Sequence, residues 1–355
     1  MKVRTEQLKE MLLKSVKAAG NNKLIPITSM LSMEVVNGDL CLTTTDSTTY
    51  LYVYAKDVGE SDFKAVVDVD LFSKLISKMT TEFVELIVND SVLEVIGNGR
   101  YRLDLRFDDE GALVSFPEFT VNKDVKYTLT PALIKSITTV CKPSLADSLD
   151  RAFYTGYYMH DSVITTDSIK ISQFKCPVFD EPVLLTSEAV GLLDVFTSPE
   201  ILVSFENNSD KVLFESDDCD LFTRSMPNVS EYPITAISRL LEEDYSSTCK
   251  IYKDEIISLL ERIMLFVGPY DNDAIKMEFA DDSINIKSLQ SNGVEVVDYI
   301  ECENPTVFTC SVNAKMLLEQ LKANITDTVT IQYGRDNALK IVGYNSVQIL
   351  ALLEE

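Results

Sequence analysis

Histidine is almost absent from the 355-residue chain, which contains a single example, His160. A metal centre with several histidine ligands is therefore excluded, and a Ser-His-Asp triad has only this residue to use. His160 follows Tyr157-Tyr-Met159 and precedes Asp161, an order that predicts a strand running into a turn. The sequence thus favours a surface histidine over a catalytic one.

Paired cysteines and long apolar runs are also lacking. The seven cysteines are scattered and form no Cys-x-x-Cys pair, which favours buried reduced thiols over a disulfide framework or a zinc site. No apolar run approaches the roughly 18 residues that a membrane span needs, and the first helix is amphipathic rather than a signal-peptide core. We expect a cytoplasmic protein with no membrane partner.

A repeated strand motif is present in the chain. Leu42-Thr-Thr-Thr-Asp46-Ser47 matches Val163-Ile-Thr-Thr-Asp167-Ser168 at a spacing of 121 residues, and Asp282-Ser-Ile-Asn-Ile286 echoes Asp161-Ser-Val-Ile-Thr165 at the same spacing. Each copy alternates apolar and polar residues as a half-buried strand does. A period near 120 divides 355 residues into three.

Helix and strand signals recur with this period, in the order helix, strands, helix, strands. Helices are predicted in the windows 4–19, 69–80, 130–142, 186–198, 252–267 and 312–323. Two aromatic-proline breaks, Ser115-Phe-Pro117 and Ser230-Glu-Tyr-Pro233, end the first and second series. We therefore predict three domains, residues 1–122, 123–243 and 244–355.

The net charge of −24 argues at first against nucleic acid, since nucleic-acid-binding proteins usually carry a basic surface. The six helical windows, however, hold twelve basic and nine acidic residues, a balance of +3 that leaves −27 for the rest of the chain. Lysines simply suit exposed helix positions, which is the plainer explanation on any one helix. Repeated on several helices that face one way, they would form a weakly basic surface suited to phosphate contact.

Metal-dependent catalysis is the main rival interpretation. The acidic pairs Asp217-Asp218, Asp271-Asn-Asp273 and Asp281-Asp282 offer carboxylates. Each lies in a predicted turn, where acidic residues are common, and none has a third ligand at helical spacing. We therefore expect no metal, no cofactor and no enzymatic activity. An acidic adaptor that binds only proteins is the other alternative; it explains the net charge but not the basic helix faces.

Several segments in order resemble one family, the bacterial and phage DNA sliding clamp, which is the beta subunit of DNA polymerase III. The likeness spans the chain and is carried by Lys23-Leu-Ile-Pro-Ile27, Asp39-Leu-Cys-Leu-Thr-Thr-Thr-Asp46, Phe153-Tyr-Thr-Gly156, Val163-Ile-Thr-Thr-Asp167, Tyr232-Pro233 and Leu350-Ala-Leu-Leu-Glu-Glu355. The resemblance implies an α+β fold of three tandem clamp repeats, each with two helices packed on antiparallel sheets. It further implies a homodimeric ring that encircles duplex DNA without sequence preference and acts as a polymerase processivity factor.

By the same resemblance, a pocket between domains 2 and 3 would bind a short peptide motif of DNA polymerase, clamp loader and repair proteins. Carried over, this site comprises Tyr154, Thr166, Ser168, Ile169, Lys170, Ile171, Pro233, Ile237, Ser238, Asn313, Met316, Ile349, Ala351 and Leu353. Without the resemblance, these residues are ordinary core candidates. Two segments depart from the family pattern. Ser168-Ile-Lys-Ile171 stands where Gly-His-Arg-Leu is usual, and Ala-Leu-Leu-Glu-Glu355 replaces Met-Pro-Met-Arg-Leu.

The resemblance also implies two further surfaces. The dimer interface would join Lys74, Leu103 and Leu105 of one chain to Phe266 and Val267 of the other, although the apolar members could equally be core. DNA contacts would come from Asn22, Lys23 and Arg151 on loops and from the helix lysines Lys9, Lys14, Lys17, Lys78, Lys135 and Lys142.

Overall fold

The structure, a computed structural model, describes residues 1–354 except 21, 60–61, 118, 120, 122–124, 148, 207–209, 228, 269–271, 289–295 and 304–305. The side chains at 125, 126 and 149–151 also lie outside the description. The chain folds into two compact units. One consists of Met1–Pro131 and Gly191–Ser225, and the other of Ala132–Val190 and Met226–Glu355.

One series of elements recurs three times along the described chain: a strand, a helix, four strands, a second helix and three strands. The first series is β1 (Lys2–Arg4), α1 (Thr5–Ser15), β2 (Met30–Val36), β3 (Asp39–Thr45), β4 (Tyr50–Ala55), β5 (Lys64–Asp68), α2 (Val69–Ser77), β6 (Phe83–Asn89), β7 (Val92–Ile96) and β8 (Arg100–Asp104). The second is β9 (Val125–Leu129), α3 (Pro131–Cys141), β10 (Gly156–Met159), β11 (Val163–Thr166), β12 (Lys170–Phe174), β13 (Val183–Thr186), α4 (Ser187–Leu192), β14 (Ile201–Phe205), β15 (Lys211–Glu215) and β16 (Cys219–Arg224).

A further helix, α5 (Ile234–Glu242), separates the second series from the third. The third series is β17 (Ser247–Tyr252), α6 (Lys253–Ile263), β18 (Ala274–Phe279), β19 (Ser283–Ser288), β20 (Val297–Glu301), β21 (Phe308–Asn313), α7 (Ala314–Lys322), β22 (Thr328–Tyr333), β23 (Ala338–Gly343) and β24 (Ser346–Ala351). Short 3-10 turns follow α1, α3, α4 and α6.

The first unit contains two antiparallel sheets. Four strands are ordered β1-β6-β7-β8, and eight are ordered β5-β2-β3-β4-β16-β15-β14-β9. The larger sheet is continuous because β4 pairs with β16, which sets Leu51 opposite Leu221. Helix α1 packs on α2, β3 and β4 and buries Leu8 and Leu12. Helix α2 starts where the Asp68 carboxylate accepts the N–H of Leu71 at 2.9 Å.

The second unit has the same construction. Eight strands are ordered β13-β10-β11-β12-β24-β23-β22-β17, joined through the β12–β24 pair, and four are ordered β20-β19-β18-β21. Helices α6 and α7 pack against each other, and the large aromatic pair of the core, Phe279 and Tyr333, stacks with ring centroids 4.0 Å apart. Burial alternates strictly along β17, with Cys249 and Ile251 turned inward and Thr248 and Lys250 turned outward.

These antiparallel sheets with few helices confirm the expected α+β class. The predicted helices 4–19 and 252–267 end earlier, at Ser15 and Ile263, and continue as 3-10 turns. Helix α5 and the strands β1, β9, β13, β17 and β21 were not predicted. The division into domains 1–122, 123–243 and 244–355 stays a prediction.

Candidate functional site

A groove of about 280 Å³ lies on the second unit, where the β11–β12 turn, α5 and the end of β24 meet. The residues that line it are Tyr154, Thr166, Ser168, Ile169, Ile171, Pro233, Ala236, Ile237, Leu240, Asn337, Ala338, Ile349 and Ala351. Most of these side chains are apolar, with a few polar groups among them. Such a surface suits apolar side chains from a peptide segment.

The turn between β11 and β12 forms one wall of the groove. The Asp167 carboxylate accepts the backbone N–H groups of Ile169 at 2.9 Å and Lys170 at 2.6 Å, and Thr166 donates its hydroxyl to the Lys170 carbonyl at 2.7 Å. The N–H of Ala351 donates to the Ile169 carbonyl at 3.0 Å, which ties the end of β24 to the turn. This turn is held by side chains and presents Ile169, 48% exposed, at the groove.

Helix α5 forms a second wall with Ala236, Ile237 and Leu240. All nine residues of this helix are described, and Ile237 alone among them is buried. The other eight are exposed or partly buried, and Ile234, Leu240 and Leu241 among them pack against the cluster that contains Ile237. The position of α5 depends strongly on how its two ends are held.

The N-terminal end of α5 is held by Tyr232. Its ring stacks on Tyr158 with centroids 4.9 Å apart, and its hydroxyl donates to the Ile164 carbonyl at 3.3 Å. Burial raises the pKa of the Tyr232 hydroxyl, so it stays protonated and able to donate. The Tyr232-Pro233 pair, identified in the sequence, thereby fixes where the helix wall begins.

Nine of the fourteen residues predicted for the peptide site line this groove. They are Tyr154, Thr166, Ser168, Ile169, Ile171, Pro233, Ile237, Ile349 and Ala351. They come from three places in the second unit, around 154–171, 233–237 and 349–351, and the fold brings them to one groove.

Lys170 lies next to the groove without lining it. Its side chain is 8% exposed, and Nζ lies 3.5 Å from Oδ2 of Asp167 and 3.4 Å from Oε2 of Glu319. The ammonium group is therefore engaged with two carboxylates and is not presented to a ligand. Ser238 lies on α5 outside the lining residues.

Asn313, Met316 and Leu353 lie away from the groove. The Asn313 side chain caps α7 by accepting the N–H of Met316 at 2.9 Å and donates to the Asn272 carbonyl at 2.6 Å. Met316 packs, partly buried, against the core of the third series of elements. The N–H of Leu353 donates to the Ser311 carbonyl at 2.8 Å, which directs this end of the chain towards β21.

Sequence reasoning missed four lining residues: Ala236, Leu240, Asn337 and Ala338. A signal for the α5 pair was present. Apolar residues at 234, 237, 240 and 241 have helical spacing directly after a proline. The aromatic-proline break was interpreted as a domain boundary, so the helix after it was overlooked.

Edge strand β8 of the first unit carries the exposed side chains Arg100, Tyr101 and Arg102. The predicted interface residues Leu103 and Leu105 are only 5% and 6% exposed. They belong to the core of this unit. Tyr101 lies on the same face of the strand as Leu103 but is 39% exposed, and Arg100 and Arg102 on the other face are exposed as well. The predicted residue Lys74 is exposed on α2 and pairs with Asp70 at 2.6 Å.

Edge strand β20 of the second unit is the more apolar of the two edges. Val297 is 52% exposed and Tyr299 is 59% exposed. The predicted interface residue Phe266 is 44% exposed and Val267 is partly buried against the core. Sequence analysis did not single out Val297, Tyr299 or Tyr101, because an apolar residue on an edge strand looks the same in a sequence as one in a core.

The lysines of α1 and the turn after it are less available for phosphate than their sequence pattern indicates. Lys9 pairs with Glu6 at 2.8 Å, Lys14 with Asp218 at 2.5 Å, and Lys17 with Asp194 at 3.0 Å. Acidic residues nearly 200 positions away in the sequence, which return within the same unit, partly neutralise this helix.

Other predicted DNA-contacting residues are more open. Lys78, Lys135 and Lys142 are exposed, and no ion pair is found for them within the described residues. Asn22 and Lys23 are exposed on the loop after α1. Arg151 lies in the 3-10 turn Leu149–Thr155, and its side chain is outside the described residues.

The acidic pairs do not form a metal site in the described part of the chain, where no group of three or more His, Cys, Asp or Glu side chains could hold an ion. Asp218 is engaged with Lys14, and Asp281 and Asp282 lie in the β18–β19 turn. Asp271 lies outside the described residues. None of the helices that the structure describes has the length and apolar character to span a membrane.

The sequence is similar to those of known proteins over most of its length. A family model described as DNA polymerase III beta subunit, N-terminal domain, matches residues 1–110. The beta sliding clamp of Staphylococcus aureus (strain Mu50) is 22% identical over 342 residues, covering 90% of this chain and 88% of that protein. The beta sliding clamp of Halalkalibacterium halodurans is 19% identical over 341 residues, with coverages of 89% and 88%.

Solved structures share the fold over the full length of the chain. The DNA polymerase beta subunit of Streptococcus pyogenes superposes with a TM-score of 0.89 at 19% identity, covering 100% of this chain and 99% of that one. The sliding clamp of Bacillus subtilis gives 0.88 at 17% identity, covering 100% and 98%. A sliding clamp of Pseudomonas aeruginosa bound to griselimycin gives 0.89 at 12% identity, covering 100% and 99%.

The three series of helices on antiparallel sheets are therefore those of a sliding clamp. Residues 1–110 match the model of the DNA polymerase III beta subunit, and the whole chain is similar to beta sliding clamps, as its sequence motifs indicated.

Proposed function

We propose that this protein is a DNA polymerase processivity factor that works as a homodimeric ring. The ring encircles duplex DNA and slides on it, and the groove on the second unit binds a short peptide of DNA polymerase, clamp loader or repair proteins. The chain encloses DNA and binds partner proteins, and it catalyses no reaction. It works in the cytoplasm, where the DNA is.

The observation that carries this proposal is that equivalent strands of the first two series pair in the same way with the last strand of the next series. In the first series the fourth sheet strand, β4, pairs with β16, the last strand of the second series; likewise β12 of the second series pairs with β24, the last strand of the third. The corresponding strand of the third series, β20, and the last strand of the first series, β8, are both sheet edges among the described strands. A second copy supplies the missing partner for each, so two chains make two equivalent junctions and close.

The chemistry of the two edges supports this pairing. Strand β8 carries Arg100 and Arg102, which lie 3.6 and 3.5 Å from the Glu94 carboxylate. Strand β20 carries Glu301 and also Asp298, which is paired with Arg262 at 2.7 Å. Exposed aromatic residues, Tyr101 and Tyr299, add apolar area on both edges. Opposite charge favours β8 meeting β20 over either edge meeting its own kind, which directs head-to-tail assembly.

DNA contact in this proposal is weak and independent of sequence. The cations that remain exposed, Lys78, Lys135, Lys142 and Lys23, contact phosphates, while the net charge of −24 discourages binding elsewhere on the surface. Retention on DNA then depends on encirclement rather than on affinity. The paired lysines Lys14 and Lys17 contribute less than their number suggests.

Peptide docking is supported by the groove itself, since nine family-matched residues line it. The P. aeruginosa relative with the same fold was solved bound to griselimycin. We expect griselimycin to bind this chain and to compete with a labelled peptide that carries leucine and phenylalanine anchors. A groove substitution such as Ile237→Asp should abolish both.

The deciding experiment measures mass and DNA retention together. Light scattering should give twice the chain mass of 39.8 kDa. Protein assembled on a nicked circular plasmid should stay with the DNA through gel filtration at high salt and be released when the plasmid is linearised. A monomer with no difference between circular and linear DNA refutes the ring and favours the acidic adaptor.

A further inference from the structure

A cluster of polar side chains holds the C-terminal end of α5, the helix that forms one wall of the groove. Lys340 on β23 donates from Nζ to the carbonyls of Leu241 at 2.9 Å and Glu243 at 2.8 Å. Carbonyls in the last turn of a helix have no partner within the helix, so a lysine here satisfies them and also offsets the negative end of the helix dipole.

Arg335 reinforces the same end. Its Nη1 donates to the Asp244 carbonyl at 3.1 Å, and Nη2 lies 3.2 Å from Oε2 of Glu243. The Tyr245 ring lies 4.9 Å from Lys340 Nζ and 5.7 Å from the Arg335 guanidinium. Two cationic side chains of the third series of elements, Lys340 and Arg335, thus contact the segment directly after α5.

Burying the ammonium group of Lys340 costs free energy. Lys340 is 6% exposed. Desolvation lowers the pKa of its ammonium group, although the nearby carboxylates of Asp244 and Glu243 act in the opposite direction. A buried ammonium is stable only when its donors are engaged, and here two carbonyls and an aromatic face engage them.

The location of this cluster matters because α5 forms a wall of the groove, and its packing consists of one buried residue and three partly buried ones, Ile234, Leu240 and Leu241. Ile237 is its one buried residue among nine, and the helix carries Ala236, Ile237 and Leu240 into the groove. Leu240 precedes Leu241, whose carbonyl Lys340 holds. A shift of this end therefore moves a lining residue directly.

We propose that Lys340 is a positioning residue for the groove: it holds α5 at the spacing from the β11–β12 turn that admits a peptide. This inference rests on the proposed peptide-docking function. In this proposal Lys340 does not contact the peptide itself. Arg335 reinforces the position of the helix end by contacting Glu243 and Asp244, the two residues that follow α5.

Lys253 provides a matched control in the same unit. Its Nζ donates to the Asn324 carbonyl at 2.8 Å, just beyond the end of α7, so it holds a helix end as Lys340 does. No residue of α7 lines the groove. Lys340→Met and Lys253→Met each remove one lysine that holds a helix end, and only the first affects a groove wall.

The test uses the full-length protein and a fluorescein-labelled peptide with a Leu-Phe pair in a serine and glycine background, read by fluorescence anisotropy. We expect Lys340→Met to raise the Kd at least tenfold and Lys253→Met to change it less than twofold. Lys340→Arg should recover part of the affinity, because a guanidinium can reach the same carbonyls. Hydrogen exchange should become faster in α5 for Lys340→Met and in α7 for Lys253→Met.

The outcomes separate two failures. If the unaltered protein binds the peptide and Lys340→Met binds it equally well, the positioning role is overturned while the groove function stands. Unchanged exchange in α5 overturns it as well, whatever the peptide does. The groove function fails if the unaltered protein does not bind the peptide, or if Ile237→Asp binds it equally well. The positioning role of Lys340 then fails too, because it rests on that function. Equal loss of affinity in Lys253→Met also refutes a specific role for Lys340.

Discussion

Asp46 and Asp167, 121 residues apart, close the same turn with the same hydrogen bonds. The Asp46 carboxylate accepts the N–H groups of Thr48 and Thr49 at 2.8 and 2.7 Å, as the Asp167 carboxylate accepts those of Ile169 and Lys170 at 2.9 and 2.6 Å. The threonine before each aspartate also donates its hydroxyl to the carbonyl at the end of the turn, at 2.7 Å in both copies. In the second copy, this turn has become a wall of the groove.

Both turns place a serine in the left-handed region, Ser47 at φ 88° and Ser168 at φ 79°. Glycine adopts this conformation without strain, so Ser168→Gly should raise the free energy of unfolding by up to about 1 kcal/mol. Chemical denaturation measures the change. Ser47→Gly is the matched substitution and should act in the same direction, because its turn is the same; a loss of stability in both contradicts the strain argument.

Ile169→Ala tests the groove without disturbing the core. The side chain is 48% exposed, so its loss should leave thermal stability unchanged. A peptide that buries it should bind about tenfold more weakly, which corresponds to roughly 1.4 kcal/mol of apolar contact. Ile325, 43% exposed and outside the groove, is the control. Equal effects of Ile169→Ala and Ile325→Ala on the Kd would show that the peptide binds elsewhere.

Tyr299→Lys tests the β20 edge. Removing an aromatic side chain from the proposed junction and placing a cation opposite Arg100 and Arg102 should shift the mass by light scattering towards the 39.8 kDa monomer. Tyr344→Lys alters a tyrosine that is 67% exposed in the β23–β24 turn and should leave the dimer intact. A dimer that survives Tyr299→Lys at micromolar concentration places the interface elsewhere.

Lys135→Ala and Lys14→Ala should differ in their effect on DNA. Lys135 is exposed, whereas Lys14 is already paired with Asp218 at 2.5 Å. Release of counterions gives a salt dependence of about 0.9 in log K per neutralised phosphate, so Lys135→Ala should lower the slope by up to that amount and Lys14→Ala by less. Titration of a labelled duplex at several salt concentrations measures both slopes. A larger change for Lys14→Ala would mean that DNA displaces Asp218.

The Lys14–Asp218 pair should also give a pH-dependent contribution to stability. Burial raises the pKa of the Asp218 carboxyl, but the hydrogen bond and charge of Lys14, together with hydrogen bonds from Ser216 and Cys219, outweigh it, so the pKa lies below its ordinary 3.8. A lowered folded-state pKa stabilises the fold above pH 3.8, and this contribution is lost as the pH falls through the lowered value.

Asp218→Asn should therefore reduce the free energy of unfolding at pH 7 by about 0.5–1 kcal/mol, a range set by the partial exposure of both side chains. The difference should shrink as the pH falls below 3.8 and vanish once the pH is below the lowered pKa of Asp218. Urea denaturation across this range measures it, and a difference that persists in acid would assign the effect to packing instead.

Much of the fold followed from local sequence. The amphipathic helices, the alternating strands and the Thr-Thr-Asp turn were all predictable because each depends on neighbours within a few residues. Helix α5 was the main omission: its four apolar residues have helical spacing, but the proline before them was interpreted as a boundary. The ends of α1 and α6 were also placed too far along the chain, since both continue as 3-10 turns.

The groove was only partly predictable. Ser168 and Ile169 were assigned to the site from the family resemblance, whereas Asn337 and Ala338 belong to a hairpin whose sequence has no distinguishing mark. Met316 and Asn313 were assigned to the site but do not line this groove: Met316 packs against the core of the third series, and Asn313 caps α7 and donates to the Asn272 carbonyl. The side of a helix that faces a ligand is decided by what packs behind it, and this is not visible in the spacing of its residues.

The sequence by itself determined the repeat and the turn at its centre, because hydrogen bonds across three or four residues form wherever that short segment occurs. Only the tertiary structure decided which strands meet, with β4 beside β16 and β12 beside β24, and only it set Asp218 against Lys14 and Lys340 against the end of α5. These pairings join residues 99 to 204 positions apart. They depend on the packing of whole sheets, which cannot be inferred from any single stretch of sequence.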